Sequence, residues 1–320
     1  MNVAVLLSTY NGEPYLREQL DSLLSQDFKD FKIYVRDDGS SDGTISILEQ
    51  YCNKDERVIK VLSDGNIGCA ASFLTLLKSV EADVYMFCDQ DDIWLPNKIQ
   101  RVVDYYSKAN MNVATLYHCD LKVVDQELNL IHSSFLKHQK MSAMNAMTRD
   151  NLFIQNFVVG CSSAINLSLA KIVLENLNAQ HFNKIAMHDW WFAITAKVYG
   201  EIFYDDVQTI LYRQHSNNVL GAKSSSLFRF INLGVNGQGL KRVLSFRKKV
   251  SEQNKLLLDL YESDLNDNQK KKIKLVIDAL GENANLSNLF KAFWNGCYMQ
   301  GGKRNLALIY SVIFSKNEIE

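Results

Sequence analysis

Three carboxylates crowd into the four residues Asp89-Gln90-Asp91-Asp92. They stand directly after the apolar run 84–88. Held that close, their charges repel, and the arrangement is costly unless a cation shares them. Oxygen-only ligands favour magnesium or manganese, which keep part of their water and bind substrate phosphates as well. A solvated acidic loop is the other reading of the same four residues.

Three further clusters could do chemistry. In Asp37-Asp38-Gly39-Ser40-Ser41-Asp42, the short acidic side chain of Asp38 can accept a hydrogen bond from the imide N–H of uracil or thymine. Tyr10, at a neighbouring strand end, can stack on that base. The same run also suits a plain turn followed by a helix cap. His188-Asp189-Trp190-Trp191 sets one carboxylate among large aromatic side chains, which raises its basicity and excludes water, as a general base requires. A helix cap with its aromatics filling core, and a structural His188, reads identically. Tyr212-Arg213-Gln214-His215-Ser216-Asn217-Asn218 gathers donors and one metal-binding imidazole after the apolar residues 209–211. It reads either as a loop closing over a diphosphate or as a solvated polar loop.

Strands and helices must hold these clusters. Residues 3–7 form a continuous aliphatic run suited to a strand covered on both faces, ending at Ser8-Thr9-Tyr10-Asn11-Gly12. Tyr15, Leu16, Leu20, Leu23 and Leu24 recur at helical spacing, and residues 31–35 read as the next strand. Ser41 or Asp42 caps a second helix, 58–62 gives a third strand, Asp64-Gly65-Asn66-Ile67-Gly68 a loop, 70–80 a helix, and 84–88 a fourth strand. Alternating strands and helices imply a mostly parallel sheet whose strand ends lie along one ligand-binding edge. Candidate strands at 114–119, 121–125 and 202–206 turn the pattern into a mixed sheet.

The expected organisation is an α/β catalytic domain over residues 1–221 and a helical region over 222–320. A linker is expected at Ser224-Ser225-Ser226, and helical periodicity at 254–261 and 270–280. Charge divides in the same way: 19 Lys+Arg against 27 Asp+Glu in 1–221, and 16 against 9 in 222–320. In the tail, Lys241, Arg242, Arg247, Lys248 and Lys249 interleave with Leu240, Val243, Leu244, Phe246 and Val250, and a second basic run stands at Lys270-Lys271-Lys272 and Lys274. That pattern suits peripheral contact with the anionic inner leaflet of a membrane, or a solvated helical tail that packs on the catalytic domain or forms a dimer. The apolar start is too short for a signal peptide, and no later run is long enough to span a bilayer. Six scattered cysteines without close pairs read as reduced, mostly buried thiols of a cytoplasmic protein.

Taken together, LLSTYNGEPYLREQLDSLLSQ, VRDDGSSDGT, GNIGCAASF, MFCDQDDIWLP, HDWW and YRQHSNN, in this order and spacing, resemble the family 2 glycosyltransferases of the GT-A fold. The resemblance covers about residues 2–220. It implies a nucleotide lying across the strand ends, with Tyr10 and Asp38 at the base, Ser8 near base or ribose, and Asn66 and Gly68 bordering it. It implies metal binding by Asp91, ribose or metal contact by Asp89, and a diphosphate-side role for His215 beside the metal, with Mg2+ or Mn2+ as cofactor. Asp189 falls on the catalytic base. Many relatives carry an acidic pair there, and this chain has His188 before its aspartate. His188, Trp190 and Trp191 would then lie on the acceptor side.

The implied reaction is a single displacement that inverts the anomeric centre, with Asp189 taking the acceptor proton. GCSSAIN and LYRQHSNNVLG look most like bacterial rhamnosyltransferases of cell-wall or capsular polysaccharide synthesis. That makes dTDP-L-rhamnose the first-choice donor, with UDP-glucose or UDP-galactose as the alternative. The expected partners are the nucleoside-diphosphate sugar and a glycan or lipid-linked glycan acceptor, and nucleic acid is not among them. A noncatalytic sugar-nucleotide binder on the same fold would not need both Asp91 and Asp189. An oxidoreductase would need a G-x-G-x-x-G turn after the first strand, which residues 8–12 do not supply.

Overall fold

The computed structural model describes residues 1–63, 65–148, 150–215 and 238–314. They form two units, one with the described residues up to 135, 158–182 and 187–215, the other with those of 136–157, 183–186 and 238–314. The boundary expected at 221/222, the linker at Ser224-Ser225-Ser226 and the Ser216-Asn217-Asn218 end of the last motif lie outside the described residues.

The first unit begins with β1 (Val3–Thr9), α1 (Leu16–Leu24), β2 (Phe31–Asp37), α2 (Thr44–Lys54), β3 (Val58–Lys60), α3 (Cys69–Ser79) and β4 (Val84–Cys88). All four strands are parallel, in the order β3-β2-β1-β4, with Thr9 opposite Asp37 and Leu7 opposite Cys88. Every residue of β4 and nearly every residue of β1 is buried, as uninterrupted aliphatic runs require when helices cover both faces of a sheet. At α2 the first-turn contacts come from Asp42, whose Oδ1 accepts from the Thr44 amide (3.1 Å) and hydroxyl (2.6 Å), although Gly43 occupies the cap position.

The chain continues through β5 (Ile93–Trp94), α4 (Lys98–Tyr106), β6 (Ala114–Val124), β7 (Leu130–His132), the short α5 (Phe135–His138) and α6 (Ala143–Thr148), β8 (Ser163–Asn166), α7 (Leu167–Asn176), α8 (His188–Tyr199) and β9 (Gly200–Arg213). The sheet extends from β4 through β8, β6, β9 and β5, with β7 beside β6, giving nine strands among the described residues. Pairing beyond β4 is antiparallel except for the parallel β6/β9 ladder. The two strands expected at 114–119 and 121–125 are the single strand β6. Its register against β9 shifts on both sides of Asp120, which breaks the alternation that a strand shows in sequence. β9 likewise runs through the apolar 209–211 to Tyr212 and Arg213, expected as loop.

The second unit contains α9 (Gln238–Tyr261), α10 (Asp267–Leu280), α11 (Leu286–Trp294) and α12 (Gly302–Phe314). Val243, Val250, Leu257 and Tyr261 line the buried side of α9, and a capping box between Asn266 and Gln269 starts α10. Arg247, inside the expected basic surface run, is buried, and its guanidinium donates to the Ser311 carbonyl at 2.9 Å. Residues 136–157 and 183–186 belong to this unit because the helices hold their backbone. Asn254 donates to the Phe153 carbonyl (2.8 Å), Arg304 to the Gln139 carbonyl (2.8 Å), and the Ala186 amide donates to Gln253 (3.0 Å). No helix among the described residues is long and apolar enough to cross a membrane.

Candidate active site

β1, β2 and β4 end side by side, so the loops that follow them meet at one edge. Side chains lock them together. The Gln90 amide pairs with the backbone of Tyr10, accepting from its N–H (2.8 Å) and donating to its carbonyl (3.0 Å). Asn11 accepts from the Ser41 N–H (2.8 Å), and its own N–H donates to the Ser40 hydroxyl (2.8 Å). Tyr10 stands above this lattice with half its surface exposed, free to present its ring to a planar group.

Asp38 is buried, and its carboxylate is engaged on both oxygens. Oδ1 accepts from Arg36 (2.5 Å) and the Ile67 N–H (2.9 Å), and Oδ2 from the Gly68 N–H (2.9 Å). Since a carboxylate offers roughly four lone-pair sites, about one remains for a ligand. Asp38 therefore also organises the loop before α3. Arg36 completes that task through the Gly65 carbonyl (2.9 Å) and the Ser72 hydroxyl (3.0 Å), and Ser72 in turn bonds Ser8 (2.7 Å). Gly68 has φ 84°, a left-handed conformation that favours glycine. Asn66 is exposed at the loop tip.

After β4 the carboxylates separate by partner. Asp92 is fully buried and accepts from the Arg213 N–H (3.1 Å), which ties this loop to the end of β9. Asp91 meets His215, Oδ2 to Nε2 at 2.8 Å. His215 stacks on Tyr15 (4.6 Å between centroids), and the Arg213 guanidinium lies over the same ring (4.9 Å) while pairing with Glu18. Arg213 also donates to the Asp91 carbonyl at 3.0 Å. Ligand atoms of Asp89, Asp92 and Cys161 lie within 4.8 Å of one another.

Burial, reinforced by the charges of Asp91 and Asp189, pushes the Asp89 carboxyl up to about 7. Burial and the same crowding by Asp91 and Asp89 push Asp92 well above the usual carboxylate range. The carboxylate oxygens of this set fit a hard divalent cation, while the Cys161 thiol beside them is a softer donor. The set expected from sequence was Asp89, Asp91 and His215. The fold adds Asp92 and Cys161 at its buried side, and Asp92 is engaged with β9.

Asp189 sits in the first turn of α8, and its Oδ1 accepts from the Trp190 N–H (2.6 Å). His188 is wholly enclosed by Phe73 (4.2 Å between centroids), Phe87 (5.5 Å) and Phe192 (5.8 Å), and burial lowers its imidazole to about 3. It is thus a neutral filler behind the aspartate. Trp191 is fully buried and Trp190 nearly so. All three of these residues, expected on the acceptor side, are core in this structure and form the back wall on which Asp189 is set. Gly160 faces them, and a Cβ there would come within 3.0 Å of His188 Nε2 and 3.7 Å of Asp189 Oδ2.

One residue that sequence reasoning passed over gathers these groups. Cys69 opens α3, and its thiol is pushed upward by burial and then by the charges of Asp89, Asp189, Asp38 and Asp91. The charges of all four expected carboxylates are thus felt at the start of α3. Arg36, Ser72, Gln90 and Arg213 were likewise not assigned site roles, because a lone strand arginine or loop glutamine has no spacing signal. The motif match itself was the available clue, since all four lie inside or beside the matched segments.

Residues 4–170 match the sequence model of Glycosyl transferase family 2. The chain belongs to this family. It is 31% identical over 268 residues, 79% of this chain and 85% of the relative, to a Shigella flexneri protein named dTDP-rhamnosyl transferase RfbG. Its fold is similar to S. aureus TarS 1-349 in complex with UDP-GlcNAc, with TM-score 0.54 and 16% identity over 97% of this chain and 91% of that one. It is also similar to the mannosyltransferase PcManGT of Pyrobaculum calidifontis in complex with GDP-Man and Mn2+, with TM-score 0.53 and 14% identity over 98% and 87%. The chain is a glycosyltransferase with a GT-A type mixed α/β unit and C-terminal helices.

Proposed function

We propose that this glycosyltransferase moves L-rhamnose from dTDP-L-rhamnose to a glycan acceptor in cell-surface polysaccharide synthesis, inverting the anomeric centre. The observation that carries the chemistry is that the loops bearing Asp38 and Asp89 to Asp92 leave neighbouring strand ends, that Asp91 meets His215 at 2.8 Å, and that the Gly160-Cys161 turn touches both sides, Cys161 within 4.8 Å of Asp89 and a Gly160 Cβ 3.7 Å from Asp189. This arrangement supports a reading in which nucleotide-side, diphosphate-side and acceptor-side groups serve one substrate. The rhamnosyl assignment is supported by the 31% identity to the Shigella protein over most of both chains.

In this reading Tyr10 stacks on the pyrimidine, and Asp38 offers its remaining acceptor site to the base imide. Ser8, Asn66 and Gly68 border the nucleoside, with Asp89 at the ribose or the metal. A magnesium or manganese ion would be held by Asp91 and Asp89 beside His215, and when bound it supplies positive charge against the diphosphate oxygens. Asp189 accepts the proton of the acceptor hydroxyl as that oxygen attacks the anomeric carbon. The neutral His188 and the indoles of Trp190 and Trp191 keep this aspartate in place and away from water. Residues 1–221 carry catalysis, and the acceptor is a glycan or a lipid-linked glycan at the cytoplasmic face of the membrane.

The test is a donor panel. Purified full-length chain is given dTDP-L-rhamnose, UDP-glucose, UDP-galactose or GDP-mannose with Mg2+ or Mn2+, and the released nucleoside diphosphate is measured. Turnover of dTDP-L-rhamnose at least about tenfold above the others is expected, a preference that a free-energy difference of ~1.4 kcal/mol suffices to produce. Preference for a UDP or GDP sugar would overturn the donor assignment.

A further inference from the structure

The last two helices are apolar on more than the side they need for packing. On α11, Leu289 and Ala292 face the interior of the helical unit, while Leu286, Phe290 and Trp294, spaced at i, i+4 and i+8, are exposed. Trp294 is 92% exposed. On the neighbouring α12, Ala307, Leu308 and Val312 are buried, and Leu306, Tyr310, Ile313 and Phe314 are exposed. Between residues 306 and 314 only Tyr310 and Ser311 carry a side-chain polar atom, and Ser311 is buried and bonded to Arg247. A helix that is apolar all round requires an apolar medium on its outer side.

Charge and composition select that medium. Residues 283–314 hold Lys291, Lys303 and Arg304 and not one acidic residue, and both lysines are exposed. Trp and Tyr with basic neighbours are the side chains that settle at the headgroup level of an anionic bilayer. The helices are too short to cross it, so they would lie in its surface. The basic run around 241–249 is less suited to this role. Arg247 is spent inside the unit, and the apolar residues Val243 and Val250 face inward.

We infer that α11 and α12 form a docking face for an anionic lipid bilayer, with Phe290 and Trp294 of α11 and Tyr310 and Phe314 of α12 entering the headgroup region. This gives the lipid-linked acceptor reading a means of reaching its substrate, but its test is independent of transfer. The chain carries its own probe, because Trp94, Trp190 and Trp191 are buried and Trp294 is open to solvent. Full-length protein is titrated with vesicles of phosphatidylcholine plus phosphatidylglycerol while tryptophan emission and acrylamide quenching are followed, and the mixture is then floated on a density gradient.

A blue shift, loss of quenching and co-flotation are expected. All three should weaken with salt, and the spectral change should vanish in Trp294→Ala. The pair Phe290→Ser and Trp294→Ser, both at exposed positions, should weaken vesicle binding at least about tenfold and leave transfer to a soluble acceptor unchanged. Absence of co-flotation with an unaltered spectrum would overturn the inference. So would shielding of Trp294 that grows with protein concentration without vesicles, which would assign the face to a second copy of the chain. Loss of transfer in the donor panel would leave the vesicle result standing.

Discussion

Replacing Arg36 by Met tests whether the loop before α3 is held by a buried charge pair. Arg36 and Asp38 side chains are only 2% and 4% exposed and meet at 2.5 Å. Removing the guanidinium leaves Asp38 buried with two backbone N–H donors, Ile67 and Gly68, and strips the Gly65 carbonyl and Ser72 of their shared donor. Breaking one side of such a pair costs about 3–5 kcal/mol. For a folded body of roughly 200 residues, at about 2–4 °C per kcal/mol, the melting temperature should fall by about 6–20 °C. The double variant Arg36→Met, Asp38→Asn removes the stranded charge and should melt higher than Arg36→Met alone, a coupling that is the signature of the pair. Circular dichroism melts of the four proteins measure it. A drop below about 2 °C for Arg36→Met, or a double variant no better than the single one, would refute the argument.

Gly160→Ala should push His188 and, with it, the first turn of α8, because Phe73, Phe87 and Phe192 leave the imidazole no room to retreat. We expect kcat to fall by about tenfold or more with donor affinity nearly unchanged, as steady-state kinetics and calorimetry would report. Chelation, or Asp91→Asn, should weaken binding of the nucleoside diphosphate in a calorimetric titration, whereas equal affinities with and without chelator would remove the metal from the diphosphate site. His118 and His188 are held at about 3 by burial, below the ordinary 6.5. Their contribution to stability is therefore full above pH 6.5 and is lost as the pH drops towards 3, because the unfolded chain takes up protons that these folded imidazoles refuse, while the raised carboxyls of Asp89 and Asp92 act in the opposite sense over the same range. The share of each histidine is about 1.4 kcal/mol per pH unit, and the melting temperature of His188→Phe should gain on that of the parent as the pH is lowered from 6.5 towards 3, whereas a constant difference between the two would refute the assignment.

The parallel half of the fold was legible because its signals are local. The run 84–88 is β4 to the residue, and each of the first strands ends in a polar cluster that the fold places at the sheet edge. The mixed half was less so. β8 has four residues and β5 two, too few to show a period, and the irregularity at Asp120 divides β6 in sequence but not in space. Residues 136–157 carry no periodic pattern and join the helical unit through side chains hundreds of atoms away in the chain, such as Asn254 and Arg304. In the site, residue types announced Asp38, Asp89, Asp91, Asp189 and His215. Burial cannot be read from type alone, so the sequence leaves His188, Trp190 and Trp191 open between an acceptor-side place and core filling, and the fold buries all three beside Asp189. Arg36 and Cys69 gain meaning only from what surrounds them.

The proposed role of Asp189, taking the acceptor proton, is open to a direct test. Asp189→Asn keeps the shape and the hydrogen bond from the Trp190 N–H but removes the basic oxygen. Single-turnover transfer from the preferred donor, measured beside calorimetric donor affinity, separates the two properties. Loss of transfer by about 10²-fold or more with donor affinity within about twofold of the parent is the predicted result. Transfer at the parent rate, or equal loss of transfer and donor binding, would contradict it.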